Sequence, residues 1–287
     1  MRRQFRRARF GLATLFGPKP LGFFIPYRYA ASVRPVGYPA LQPLFEAAEP
    51  AFLDVLAAVE AVAPDLAAIA AGQGPARFDQ DWFPRLDAAA AYALVRREQP
   101  ARIVEIGSGH STRFLARAVA DGGLSTEIVA IDPAPRASLP RLGVRHEARL
   151  FSAADPAVAA LRAGDILFVD SSHVAMPGTD VDLIVNDLLP RLPAGLLIHV
   201  HDVTLPDAYP ASWAWRGYNE QSLIGALLQG GGYELVFASH WVATRRPHLL
   251  EQGVLGRLPL KTGALETSLW LRKLVPAFGS PGPSQPA

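Results

Sequence analysis

Hydrophobic positions along the chain follow two rhythms, and the change falls near residue 100. Before it, apolar residues recur at helical spacing. Leu41–Ala71 reads as helix broken at Pro50 and Pro64, where the missing N–H and ring of proline interrupt the ladder. Asp87–Glu98 reads as a second helix, with Leu86, Ala89, Ala90, Leu94 and Val95 on one face. Gly72–Arg77 is a turn-like link between them. From Ala101 onward short apolar runs alternate with helical segments. Strands are expected at Ile103–Ile106, Glu127–Ile131, Val144–Phe151, Ile166–Val169, Leu196–Val200, Tyr233–Ala238 and Ser268–Leu271. Helices are expected at Thr112–Ala120, Pro156–Leu161, Val181–Leu189 and Gln221–Leu228. This alternation implies an α/β fold, a mostly parallel sheet with helices on both faces and right-handed connections. No internal repeat is present.

The two ends do not follow either rhythm. Residues 1–40 are rich in Arg, Pro, Gly and aromatics (Phe23, Phe24, Tyr27, Tyr29), and are expected to form an irregular arm. The tail from Ser280 is expected to be disordered, because its Pro, Gly and Ser carry nothing to bury. The domain expectation is therefore an arm and helical extension over 1–77, a catalytic domain over 78–273, and a tail over 274–287.

Composition narrows the class. Half the residues are apolar and 19% are charged, which is the make-up of a core-forming chain. The absence of cysteine excludes disulfides, thiolate metal sites and a cysteine nucleophile. The net charge of +2 hides an asymmetry. Eight Lys/Arg and no acid precede Glu46, five of them at Arg2, Arg3, Arg6, Arg7 and Arg9; the remainder carries 20 basic and 26 acidic residues, a net of −6. A basic arm is either a solvated terminus or a contact for anionic lipid, nucleic acid or an acidic partner. No uncharged apolar run reaches the roughly 18 residues of a membrane span, and no cleavable leader is evident, so a cytoplasmic protein is expected.

The strongest local signal is Val104-Glu105-Ile106-Gly107-Ser108-Gly109-His110-Ser111-Thr112, a buried strand running through two glycines into a helix. Such a turn brings backbone close to a ligand, and the helix start offers unpaired N–H groups. Dinucleotide folds favour glycine where Thr112 stands. The next strand ends in Asp132, 23 residues past Gly109, a position suited to ribose hydroxyls. Further along, strand Ile166–Val169 leads into Asp170-Ser171-Ser172-His173, and strand Leu196–Val200 into His201-Asp202. Ligands of open parallel sheets bind at these carboxyl ends. Charge placed directly after buried strands costs free energy unless it is used or paired.

The pattern Glu105-x-Gly107-x-Gly109-x-Ser111, together with Arg102–Thr112, Asp165–His173, Leu188–Val203 and Tyr218–Trp241, resembles class I S-adenosylmethionine-dependent methyltransferases. Within them it is similar to a bacterial branch loosely related to macrocin-type and catechol-type O-methyltransferases. The resemblance spans roughly Phe78–Lys273. It implies a Rossmann-like seven-stranded sheet whose last strand inserts antiparallel. It also implies that Glu105, Gly107, Ser108, Gly109, Ser111, Asp132 and Asp170 hold the cofactor. Asp170 and Asp202 are the candidate metal pair for Mg²⁺ or Mn²⁺, though Val203 replaces the asparagine of catechol-type enzymes. His173, His201 and Asp170 are the catalytic candidates, since histidine titrates near neutrality.

The expected function is O-methylation of a small-molecule or sugar hydroxyl, with Trp82, Phe83, Tyr209, Trp213, Trp215 and Tyr218 as an aromatic lid. An NAD(P)-dependent oxidoreductase is the second reading, and a non-catalytic scaffold anchored by the arm the third. Nucleic acid is not an expected partner, because the catalytic half is acidic. Peripheral membrane contact through the arm and a homo-oligomer are the further partner expectations.

Overall fold

The computed structural model describes residues 2–135 and 142–278. Their centre is a seven-stranded sheet in the order β3-β2-β1-β4-β5-β7-β6. The strands are β1 Arg102–Ile106, β2 Glu127–Ile131, β3 Val144–Glu147, β4 Ile166–Val169, β5 Leu197–Val200, β6 Tyr233–Ala238 and β7 Leu269–Lys273. Neighbours from β3 to β5 pair in parallel, with Val104 opposite both Val129 and Leu167. β7 enters antiparallel between β5 and β6, with Ile198 opposite Leu271 and Leu235 opposite Leu271 from the other side. Every residue of β4 and β5 is buried, because helices cover both faces. Parallel β1, β2 and β4 bring their carboxyl ends to one edge, and the order reverses between β1 and β4, which opens a crevice there.

The helices are α1 Arg2–Phe16, α2 Gln42–Ala47, α3 Glu49–Ala61, α4 Ala63–Ala70, α5 Arg85–Glu98, α6 His110–Asp121, α7 Pro156–Ala159, α8 Asp180–Leu183, α9 Leu189–Arg191, α10 Glu220–Gln229 and α11 Ser239–Arg245. The break points before α3 and α4 are Ala48 and Val62, so Pro50 and Pro64 each sit in the first turn of the next helix, where the missing N–H costs nothing. A π turn, Ile184–Leu188, links α8 to α9 just before Pro190, whose ring would clash with a regular preceding turn.

The helical extension shares one core with the sheet. Phe45, Phe52, Val55, Val59, Leu66 and Ile69 are buried in the same cluster as β1, β4 and β6. Phe52 meets Phe237 of β6 and Trp241 of α11 edge-on, at 6.0 and 5.4 Å between ring centres. The arm differs from expectation at its start, where Arg2–Phe16 is a 15-residue helix. Of the tail, 274–278 hydrogen-bond to the body through Leu274 and Phe278, and the stretch from Ser280 lies outside the described residues.

Candidate functional site

The glycine loop is built on one buried carboxyl group. Glu105 is fully buried and accepts hydrogen bonds from Ser111 Oγ at 2.5 Å and Thr112 Oγ1 at 2.6 Å. Thr112 Oγ1 also accepts from the Gly109 N–H at 2.9 Å, so it ties the start of α6 to the end of β1. Burial pushes the Glu105 carboxyl up to about 8, which leaves it protonated and neutral near pH 7. This explains a hydroxyl where dinucleotide folds place glycine. Gly107 has φ of +83°, and a Cβ there would lie 1.9 Å from the Asp170 carbonyl oxygen. Only glycine permits the β1 and β4 loops to touch this way.

A cavity of about 570 Å³ opens beside this loop, within the roughly 300–1,000 Å³ common for small-molecule sites. Gly107, Ser108, Asp132 and Asp170 line it; Ile131, Leu150, Phe151 and Leu183 give apolar walls, and Ser172, Thr179 and Asp180 close one side. Asp132 accepts from Ser108 N at 2.8 Å, Ser108 Oγ at 3.0 Å and Ala134 N at 2.7 Å, so its carboxylate is held at the rim. The carboxylates and apolar walls fit a ribose-bearing, cationic ligand such as S-adenosylmethionine. Of the other expected cofactor residues, Glu105, Gly109 and Ser111 lie behind the cavity wall and act by shaping the loop. Phe23 of the arm also lines this cavity, a contact nothing in its sequence context announced.

Beyond Asp170 the expected cluster assembles. His173 Nε2 lies 3.3 Å from Asp170 Oδ1 and 3.6 Å from Asp202 Oδ2. His201 Nδ1 lies 3.6 Å from both Asp170 Oδ1 and Asp202 Oδ1. Each ring is braced from behind by a carboxyl group the sequence reading missed. Glu220 meets His173 Nδ1 at 2.9 Å, and Asp87 meets His201 Nε2 at 3.3 Å. Asp87 is fully buried and also accepts from the Thr267 and Ser268 N–H groups at 2.9 Å each, ahead of β7. A lone acid in the apolar run Leu86–Val95 was its only sequence signal. His173 and Asp202 are two of three non-glycine residues with left-handed φ among those described, at 58° and 55°. Backbone strain of this kind concentrates at functional sites.

Charge sets the protonation. Although burial opposes it, Asp170 and the neighbouring carboxylates hold His173 and His201 well above the ordinary histidine range. The two rings in turn hold Asp170 well below the usual carboxylate range, despite its burial. Both rings are therefore driven toward the protonated form, away from the neutral titration expected of histidine. Only His201 and Asp202 line the second cavity, of about 330 Å³, with Trp82, Trp213, Trp215, Arg216 and Tyr218. His173 is buried behind that wall, its ring 4.6 Å from the Tyr218 ring. Of the expected lid, Phe83 is core, packed on Phe114 and Phe168, and Tyr209 donates no wall to this cavity.

Arg216 packs over Trp213 at 4.2 Å and pairs with Asp202 at 3.2 Å. The Arg216 guanidinium already pairs with Asp202, so the expected Asp170–Asp202 metal pair finds no support here. No group of three or more His, Asp or Glu among the described residues is placed to hold a metal ion.

Residues 104–203 match the family model described as a methyltransferase domain, which spans the glycine loop, Asp132, Asp170 and Asp202. No curated protein matches the chain in sequence. Among solved structures it is similar to the SAH-bound methyltransferase PaMTH1 of Podospora anserina, with 16% identity over 88% of this chain and 99% of that one and a TM-score of 0.39. It is also similar to the plantazolicin methyltransferase BpumL in complex with a pentazolic desmethylPZN analog and SAH, with 16% identity, 65% and 84% coverage and a TM-score of 0.41. A third is the branched-chain polyamine synthase of Thermus thermophilus, with 17% identity, 76% and 65% coverage and a TM-score of 0.41. The matched stretch, residues 104–203, runs from the glycine loop of β1 past the end of β5, so it is the strand-end crevice of this sheet that carries the likeness to a methyltransferase domain.

Proposed function

We propose that the enzyme methylates a hydroxyl group on a small, ring-bearing acceptor such as a sugar or phenol. The observation that carries this reading is the charged wall between two cavities: Asp170 faces the cofactor side, while His201 and Asp202 face the aromatic side. When bound, S-adenosylmethionine supplies a methyl group already activated on a sulfonium. The chain's own residues then have three tasks. Trp82, Trp213 and Tyr218 offer flat faces to orient a ring and exclude water, and alignment alone can lower a barrier by as much as ~7–11 kcal/mol. His201 is the base candidate that lines the aromatic cavity, and as a neutral imidazole it takes the proton from the acceptor hydroxyl. His173 and Asp87 are positioning residues, which hold Asp170 and His201 in place. As the oxygen–methyl bond forms, the sulfur–methyl bond breaks, and the acceptor proton remains on the enzyme.

Calorimetric titration with S-adenosylhomocysteine, beside NAD⁺ and NADP⁺, tests the cofactor side on wild type and Asp132→Ala. Micromolar binding that the variant loses is expected; tight nicotinamide binding alone would overturn the reading. Methyl transfer from labelled cofactor to panels of hydroxylated rings, amines and thiazole peptides then tests the acceptor, and transfer confined to amines would remove O-methylation. Turnover of wild type with and without chelator, beside Asp202→Ala, checks the metal-assisted version. Equal turnover with and without chelator is the outcome expected from the Arg216–Asp202 pairing.

A further inference from the structure

The arm carries an unpartnered amphipathic surface. In α1, Phe5, Ala8, Leu12, Leu15 and Phe16 fall on one helical face. That face points away from the protein, with Phe5 75% and Phe16 83% exposed. Only Phe10, Ala13 and Thr14 are partly covered, on the other side. The apolar surface continues past the helix, where Leu21, Phe23, Phe24, Ile25, Tyr27 and Tyr29 are all exposed. Arg6 and Arg7 lie outside the apolar arc of α1, Arg9 flanks it beside Phe5 and Phe16, and no acid occurs before Glu46. Water gains nothing from such a face, and an exposed apolar patch this continuous marks a contact site.

We propose that α1 and the strap following it dock on an anionic membrane surface. The charge pattern selects this occupant. A helix with aromatic and leucine residues on one face and arginines on the other lies in the headgroup region, its apolar side among acyl chains. Each arginine near an anionic leaflet adds attraction. A second copy seated on the apolar face would leave Arg6 and Arg7 with no acidic group opposite, since no acid precedes Glu46. The strap also links this surface to the catalytic crevice. Leu21 N donates to Thr14 Oγ1 at 3.1 Å, Phe23 lines the cofactor cavity, and Tyr38 N donates to the Pro206 carbonyl at 2.7 Å. The docking surface therefore lies on the same chain segment that borders the mouth of the cofactor cavity.

The test is flotation of the full-length protein with phosphatidylcholine vesicles, with and without phosphatidylglycerol, at low and high salt. Two variants accompany it: Phe5→Ser/Leu12→Ser/Phe16→Ser, and Arg6→Glu/Arg7→Glu/Arg9→Glu. None of these residues touches either cavity, so S-adenosylhomocysteine binding reports that each variant is folded and keeps this test separate from that of the catalytic reading. Wild type is expected to float with anionic vesicles and about ten-fold or more less with neutral ones, and both variants should lose most of that binding. Binding equal on both vesicle types, or none at low salt, would overturn the proposal. So would a dimer in sedimentation that the serine variant dissolves while no vesicle binds, since the face would then belong to a second copy.

Discussion

The two halves of the strand-end crevice are held together by different physics. Around β1 and β2 the loop is fixed by backbone N–H groups, two hydroxyls and a neutral carboxyl group at Glu105. Around β4 and β5 the loops are fixed by side-chain pairs: His173, His201 and Arg216 against Asp170, Asp202, Asp87 and Glu220. The first arrangement turns on one buried carboxyl group and specifies a shape. The second ties His173, His201 and Asp170 to one another's charge. The β1–β2 side thus resembles a mould and the β4–β5 side a charge-balanced switch.

The sharpest way to break the mould is Gly107→Ala. The added Cβ would overlap the Asp170 carbonyl and occupy a left-handed backbone, a strain of about 3 kcal/mol or more. Calorimetry should show S-adenosylhomocysteine binding weakened about a hundred-fold, or a matching loss of stability. Binding unchanged in a folded variant would mean the two loops are not in contact.

The switch is probed by Asp170→Asn. His201 can act as base only once deprotonated, so the wild-type rate should climb with pH along a limb above the ordinary histidine value of 6.5. Removing the Asp170 charge removes a major support for the protonated ring, which moves the limb to lower pH while lowering the maximal rate about ten-fold or more. A pH–rate profile with an unmoved limb would assign the proton to a group other than an imidazole.

Glu105→Gln leaves the loop's shape in place and gives the cleanest contrast. With its carboxyl raised from 4.5 to about 8, the folded protein holds a proton that the unfolded chain releases. The stability this contributes is full below pH 4.5 and is lost as pH rises to about 8, at about 1.4 kcal/mol per pH unit. Glutamine keeps the shape without the proton. Urea denaturation across that window should show the variant gaining on wild type with pH; parallel curves would mean that Glu105 ionises at its ordinary value.

Much of this was legible in the chain. β2, β4 and β6 begin and end where the apolar runs do, because glycine, proline or acid bounds each run sharply. Asp132, Asp170, His201 and Asp202 were legible for the same reason, as polar groups directly after buried strands. What sequence hid was long-range. Asp87 reaches His201 across 114 positions, and its bonds to Thr267 and Ser268 span 180 and 181. His173, a catalytic candidate by sequence, is turned by its left-handed backbone behind the cavity wall, toward Glu220, which no local pattern announces. α1 escaped because its apolar face packs on nothing in the chain, so the usual expectation that such a stripe meets a core had no partner to point to.

The bonds from Asp87 to Thr267 and Ser268 also order events in time. During synthesis α5 emerges early, and its buried acid waits through some 180 residues for the donors that complete it. Until the segment leading into the final strand leaves the ribosome, His201 has no fixed support and the sheet has no β7. A chain stopped ahead of Glu266 would lack both β7 and the two N–H donors that fix Asp87 behind His201.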